Sequence, residues 1–241
     1  MRVIRQELKY FINVNNIINL RSMLNTFLES DPYIQNKTND YQVRSLYFDT
    51  IYNKDLDEKL DGILLREKVR LRVYNDHSVI KLEFKKRESS SIDKSTFVIS
   101  KELADDIING DYTINSIKSK YGSKMVKPLI KLKSVGYKPR VIVEYDREAY
   151  TLPFGNTRIT IDKNLRSYNN EIDLFNIKYP STPTFNDNLQ ILEVKFSHYL
   201  PQSVKYLLSG IDAIPHSISK YTLCQKYINT RPWTDNLSVP F

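Results

Sequence analysis

The chain has 241 residues, enough for one sizeable core or two small ones, and its 41% hydrophobic and 27% charged content is ordinary for a soluble globular protein. A formal net charge of +8 favours an anionic partner, without choosing among nucleic acid, a membrane surface and small phosphates. A single cysteine, Cys224, excludes an internal disulfide; with no signal-peptide core and no apolar run of membrane-spanning length, the expectation is a soluble, cytoplasmic protein.

Taken in order, Arg5–Ile12 alternates as a first strand, with Glu7 and Lys9 on one face. Asn15 is placed to cap a helix whose apolar stripe is Ile17, Leu20, Leu24 and Phe27, ending near Asp31-Pro32. Gln42–Asp49 is a second strand and Tyr52–Leu60 a short helix stopped by Asp61-Gly62. Then comes REKVRLRVYNDHSVIKLEFKKR, residues 66–87. Two alternating runs flank the polar break Asn75-Asp76-His77-Ser78, the pattern of a β-hairpin. Side chains at i, i+2 and i+4 share a sheet face. Lys68, Arg70 and Arg72 therefore line up on one strand, and Lys81, Glu83 and Lys85 on the next. A solvated strand face usually mixes signs; this nearly pure cationic row is either the exposed side of a basic protein or a surface for a polyanion.

Ser89-Ser90-Ser91 reads as a mobile tip before the strand Ser91–Ser100, which carries Lys94. Short helices are predicted around Leu103–Ile108 and Val126–Leu132. Strands return at Arg140–Tyr150, with Arg147, and Arg158–Asp162; residues 164–188 form an irregular excursion. Leu189–Ser197 is a strong strand with Glu193 and Lys195 on one face. Helices are predicted over 202–214 and Ser219–Ile228, the latter beginning with Lys220, before a loose tail from Thr230. There is no internal repeat or domain boundary: one domain spans 1–230, followed by a tail, 231–241. Charged pairs thus recur on separated strands. If those strands share one sheet, the charges line a polar interior, tolerable only if water and an anion fill it.

The motifs RQELKYF, RSLYFDT, RLRVY with KLEFKK, DKS, RVIVEYDREAY followed by RITID, LEVKF and SISKY, spread from Arg5 to Tyr227, give the chain a resemblance to the triphosphate tunnel metalloenzymes (CYTH-like superfamily), and within them to the VTC-type polyphosphate polymerase domain. The resemblance implies an α+β fold: an antiparallel eight-stranded β-tunnel, a closed barrel with a basic interior, braced by surface helices. It implies an enzyme that uses ATP to extend inorganic polyphosphate, or a triphosphate hydrolase; a non-catalytic polyphosphate-binding module is the remaining alternative. Carried over motif by motif, Lys9, Arg70, Arg72, Lys85, Lys94, Arg147, Arg158 and Lys220 become phosphate ligands, with Lys9, Arg70, Arg72 and Glu193 nearest the chemistry. Glu193 becomes the principal ligand of Mn²⁺ or Mg²⁺, with Glu7 and Glu83 as further candidates, since hard cations take carboxylate and phosphate oxygens together. The expected partners are ATP or another triphosphate and polyphosphate, not nucleic acid. One departure stands out: where the pattern expects a lysine before the last helix, the chain has His216 and Ser217.

Overall fold

In a computed structural model, the structure describes residues 5–30, 40–75, 77–88, 91–168, 173–176, 181–184, 189–211 and 213–229. The elements are β1 (Arg5–Asn13), α1 (Val14–Phe27), β2 (Glu29–Ser30), β3 (Tyr41–Asp49), α2 (Lys54–Leu60), β4 (Leu65–Tyr74), β5 (Ile80–Glu88) and β6 (Ser91–Ile99). There follow α3 (Lys101–Asn109), α4 (Ile114–Tyr121), α5 (Ser123–Val135), β7 (Lys138–Leu152), β8 (Thr157–Tyr168), β9 (Thr182–Pro183), β10 (Leu189–Ser197), α6 (Gln202–Ser209) and α7 (Lys220–Asn229).

The main strands form one antiparallel sheet in the order β1-β10-β8-β7-β3-β4-β5-β6, with β2 and β9 as two-residue additions. Eight long strands were expected, and eight lie on this path. A closed barrel was also expected, and here the finding differs: among the described residues β1 and β6 do not pair, so the sheet is open. It curls all the same. Glu7 on β1 reaches Lys85 on β5, the seventh strand in the order, at 3.5 Å. The free edge of β1 is covered by the segment before α7, where His216 N–H donates to the Lys9 carbonyl at 2.7 Å and Tyr10 bridges Pro215. Covering an edge satisfies backbone groups that would otherwise pair with a foreign strand.

Period-2 alternation gives the sheet two apolar sections on its outer face. Leu46, Phe48, Val69, Leu71, Val73, Leu82 and Phe84 pack under α3, α4 and α5. Tyr10, Ile12, Ile159, Ile161, Leu192 and Val194 pack under α1 and α6. The inner face has a third cluster. Val43, Tyr47, Val141, Val143, Tyr145 and Ile191 meet Ile218, Tyr221 and Cys224, so α7 fills one part of the hollow. The expected through-tunnel is therefore a hollow partly plugged by the last helix.

Most predicted elements are present with shifted ends. The first helix is capped by Asn13, whose side chain accepts from Asn16 N–H, rather than by Asn15. α4 was not predicted; Thr113 and Ser116 start it with a capping box on a sequence with little apolar periodicity. β8 runs on to Tyr168, into the stretch read as irregular, because a register shift opposite Glu144–Asp146 lets it stay paired with β7. α6 stops at Ser209 rather than 214. The helix end at Asp31-Pro32, Asp76 of the hairpin turn, Ser89-Ser90 and the tail from Thr230 lie outside the described residues. No helix among the described residues is long and apolar enough to cross a membrane.

Candidate functional site

The hairpin pairs like with like. In the β4–β5 register Arg66 faces Arg87, Lys68 faces Lys85 and Arg72 faces Lys81, and on the other side of β5, Lys85 faces Lys94. Like charges directly opposite one another destabilise a sheet. Here Arg66, Lys68, Arg72, Lys85 and Arg87 border a cavity of about 420 Å³ on the inner face. Its lining carries eleven lysines and arginines against Glu7, Glu83 and Glu193, an excess of eight positive charges. The cations come from β1 (Lys9), α2 (Lys59), β4 (Arg66, Lys68, Arg70, Arg72), β5 (Lys85, Arg87), β7 (Arg147), β10 (Lys195) and the start of α7 (Lys220).

The arginines are held ready rather than left loose. Arg70 donates from Nε to Glu83 at 2.7 Å and from a terminal nitrogen to the Tyr47 hydroxyl at 2.8 Å. Arg72 Nε donates to Ser45 Oγ at 3.1 Å. Arg147 grips Asp162 through two bonds of 2.6 and 2.8 Å. The other oxygen-side partner of Asp162 is Lys220, whose Nζ lies 2.5 Å from Oδ2. A guanidinium has five N–H donors, so these bonds orient each arginine and leave donors for phosphate oxygens. Burial works against the charge on Lys220, but Asp162 and then Tyr145 outweigh it and hold the ammonium charged.

Of the residues expected from sequence, the cavity gathers Glu7, Lys9, Arg70, Arg72, Glu83, Lys85, Arg147, Glu193 and Lys220. Lys94 is not part of the lining; it sits half-exposed behind it, 2.5 Å from Glu83 Oε1. Arg158 also lies off the lining and donates to the Tyr41 hydroxyl at 2.9 Å. Lys59, Arg66, Lys68, Arg87, Lys195 and Tyr47 line the cavity without having been assigned to it, and Asp162, off the lining, anchors Arg147 and Lys220. Lys68 and Lys195 were legible by strand parity, since each shares a face with an assigned residue two positions away. Lys59 gave no such signal. It comes from α2, and its Nζ donates to Ser217 Oγ at 2.7 Å, which brings a lysine to the place where the sequence has lost one.

The three carboxylates differ. Burial would raise Glu83, but Arg70, Arg72 and Lys94 overcome it and hold the group well below the usual carboxylate range. Glu83 thus serves two arginines and a lysine. Glu193 is 4% exposed; burial raises it, while Lys195, Lys9 and a hydrogen bond with Glu7 pull it well below its ordinary value. Glu7 is the hub of Lys9, Lys85 and Lys195 at 3.4–3.6 Å. Lys195 Nζ approaches Glu193 Oε1 to 2.5 Å, yet that oxygen has no partner in hydrogen-bonding geometry. The ion pair with Lys195 holds the carboxylate at the cavity wall. Glu193, with Glu7 beside it, is the carboxylate pair that would hold a hard cation, with phosphate oxygens and water supplying the remaining ligands. No group of three or more carboxylate, imidazole or thiol side chains poised for a metal occurs among the described residues.

The VTC domain family matches residues 4–229. Among solved structures, a putative adenylyl cyclase from Hippeastrum, HpAC1, described as having a dominant triphosphatase activity, overlaps with a TM-score of 0.55 at 14% identity, covering 91% of this chain and 94% of that one. A putative adenylate cyclase from Bacillus halodurans overlaps with a TM-score of 0.49 at 12% identity, covering 98% and 94%. PH1819 protein from Pyrococcus horikoshii gives 0.49 at 13%, covering 92% and 99%. No curated protein matches the sequence. At these identities the first structure shows a shared fold and nothing more, and it is the family match across nearly the whole chain that identifies it: the protein belongs to the VTC domain family.

Proposed function

We propose that this protein is a metal-dependent phosphotransferase that moves the terminal phosphoryl group of ATP onto inorganic polyphosphate bound in the basic cavity. One observation carries the reading. Even with Lys68 neutral the lining keeps an excess of seven positive charges, whereas a nucleoside triphosphate brings about four negative ones. The surplus matches two phosphate chains held together, donor and acceptor, better than one. Phosphoryl transfer needs positioning and charge neutralisation more than a strong base. Arg70, Arg72 and Arg147, each fixed by a neighbour, would grip phosphate oxygens in pairs. Lys220, Lys9 and Lys195 would add point charges around them. Mn²⁺ or Mg²⁺ held by Glu193 and Glu7 would supply further neutralisation of the transferring group.

A second reading is triphosphate hydrolysis. It is favoured by α7, which fills part of the hollow and shortens the space for a long chain. The two readings part in one experiment. Pure protein is incubated with ATP and Mn²⁺ and the products are resolved by length. Long chains support transfer, free phosphate alone supports hydrolysis, and full turnover in excess chelator would remove the metal from the mechanism.

A further inference from the structure

The cavity contains a serine and a lysine in direct contact that the transfer reaction leaves unused. Lys68 Nζ donates to Ser219 Oγ at 2.7 Å, and its other neighbour is the face of Tyr221, 5.3 Å away. No carboxylate forms an ion pair with Lys68 among the described residues, unlike Lys9, Lys85, Lys195 and Lys220. Ser219 is fixed from the other side, where Thr222 donates to the same Oγ from its backbone at 3.2 Å and from its hydroxyl at 3.0 Å. Both Lys68 and Ser219 face the cavity. Burial, then the nearby Lys9, lowers Lys68 to about 7, with Asp55 opposing. A lysine in that range is neutral in a large share of molecules at neutral pH, and its lone pair can then accept the proton of the hydroxyl it touches.

We propose that Ser219 is a phosphoryl acceptor, activated by Lys68, so that the protein phosphorylates itself inside its own cavity. The inference rests on the triphosphate reading of that cavity. In the step, Ser219 Oγ forms a bond to the terminal phosphorus of a bound nucleoside triphosphate. The bond from that phosphorus to the bridging oxygen breaks, and the nucleoside diphosphate leaves with the electron pair. The hydroxyl proton passes to the neutral Lys68 amine. The product is a phosphoserine next to the Lys68 ammonium, which stabilises its charge. The competing role for Ser219 is that of a helix cap and nothing else, and asparagine performs that role equally well.

The test uses the full chain with ATP labelled on its terminal phosphate and Mn²⁺, quenched in acid and mapped by peptide mass. One phosphoryl group is expected on the peptide containing Ser219. It is absent from Ser219→Asn, which keeps the cap, and from Ser219→Ala. Labelling slows by about a hundredfold in Lys68→Met and in Lys68→Arg, because neither side chain can take the proton. An unlabelled Ser219 in a sample that turns over ATP overturns the proposal and leaves the transfer reading standing. Wild-type labelling rates in both Lys68 variants also overturn it. A labelled Ser219 without turnover upholds it and counts against chain transfer, and a sample with neither label nor turnover overturns both.

Discussion

If Glu193 holds the metal as proposed, this one residue separates binding from chemistry. It is a buried carboxylate among cations, held ionised by Lys195 and Lys9 against the cost of burial. Glu193→Gln keeps the size and one acceptor oxygen but loses the charge that draws a hard cation. Without metal, triphosphate affinity should stay the same or rise, since one repulsive charge has gone. With saturating Mn²⁺, turnover should fall on the order of a hundredfold. Calorimetry without metal and a transfer assay with it make the pair of measurements; undiminished transfer takes Glu193 out of the site. The sequence made this residue legible because LEVKF puts a glutamate and a lysine two apart on a strand. The same logic could have found Asp162, on the same face as Arg158 and four residues on, but nothing in the sequence said that Arg147 would fold onto it. That contact depends on the β7–β8 register, which places Arg147 opposite Asp162.

At the scale of elements, α2 and α7 make the site more than a curved sheet. α2 carries Lys59 outward to Ser217 and buries Asp55 inward. Asp49 accepts the backbone N–H groups of Thr50, Asp55 and Leu56 and the Tyr221 hydroxyl, which locks α2 to α7. Asp55 sits beside it with Oδ2 unpartnered. Burial first, then Asp49 and Glu58, push Asp55 from 3.8 up to about 8. Between these values the folded chain keeps a proton that the unfolded chain releases, so the stabilisation is whole below about 3.8 and is lost as pH rises through 8. Asp55→Asn removes that dependence while keeping an acceptor for Tyr137. Its thermal midpoint should exceed the wild type by a margin that grows from about pH 4 to about pH 8 and then levels off. A margin independent of pH would show that Asp55 is ionised in the fold. None of this was readable beforehand: KDLDEKL looks like an ordinary solvated helix, and only the packing of α2 against β3 and α7 turns one of its acids inward.

For the molecule as a whole, alternation along the strands announced which side chains share a face, but not which strands are neighbours. The hairpin and Leu189–Ser197 were legible almost residue for residue, because a period of two has no competing explanation there. The strand order is set by long-range pairing and carried no local trace. Closure was the natural extrapolation from eight strands with a polar face, and it did not follow, since the 215–219 segment takes the edge of β1 and β6 is left as the opposite edge. Lys94 and Arg158 share the cationic parity yet sit off the cavity, Lys94 behind Glu83 and Arg158 against Tyr41, because parity fixes the face and curvature decides which part of that face encloses space.

As proposed, this concentration of like charge holds a phosphate chain. Calorimetric titration of inorganic phosphate, triphosphate and longer polyphosphate into the metal-free protein, at low and high salt, tests it most directly. Affinity should rise with chain length and weaken with salt, as screening of a polyanion among cations requires. Arg70→Ala and Arg72→Ala should each cost about 1.5–3 kcal/mol of triphosphate binding while the melting transition is retained, Lys94 remaining to hold Glu83. Affinity that ignores chain length, or that survives in both arginine variants, would contradict the claim and leave the cationic face without a ligand.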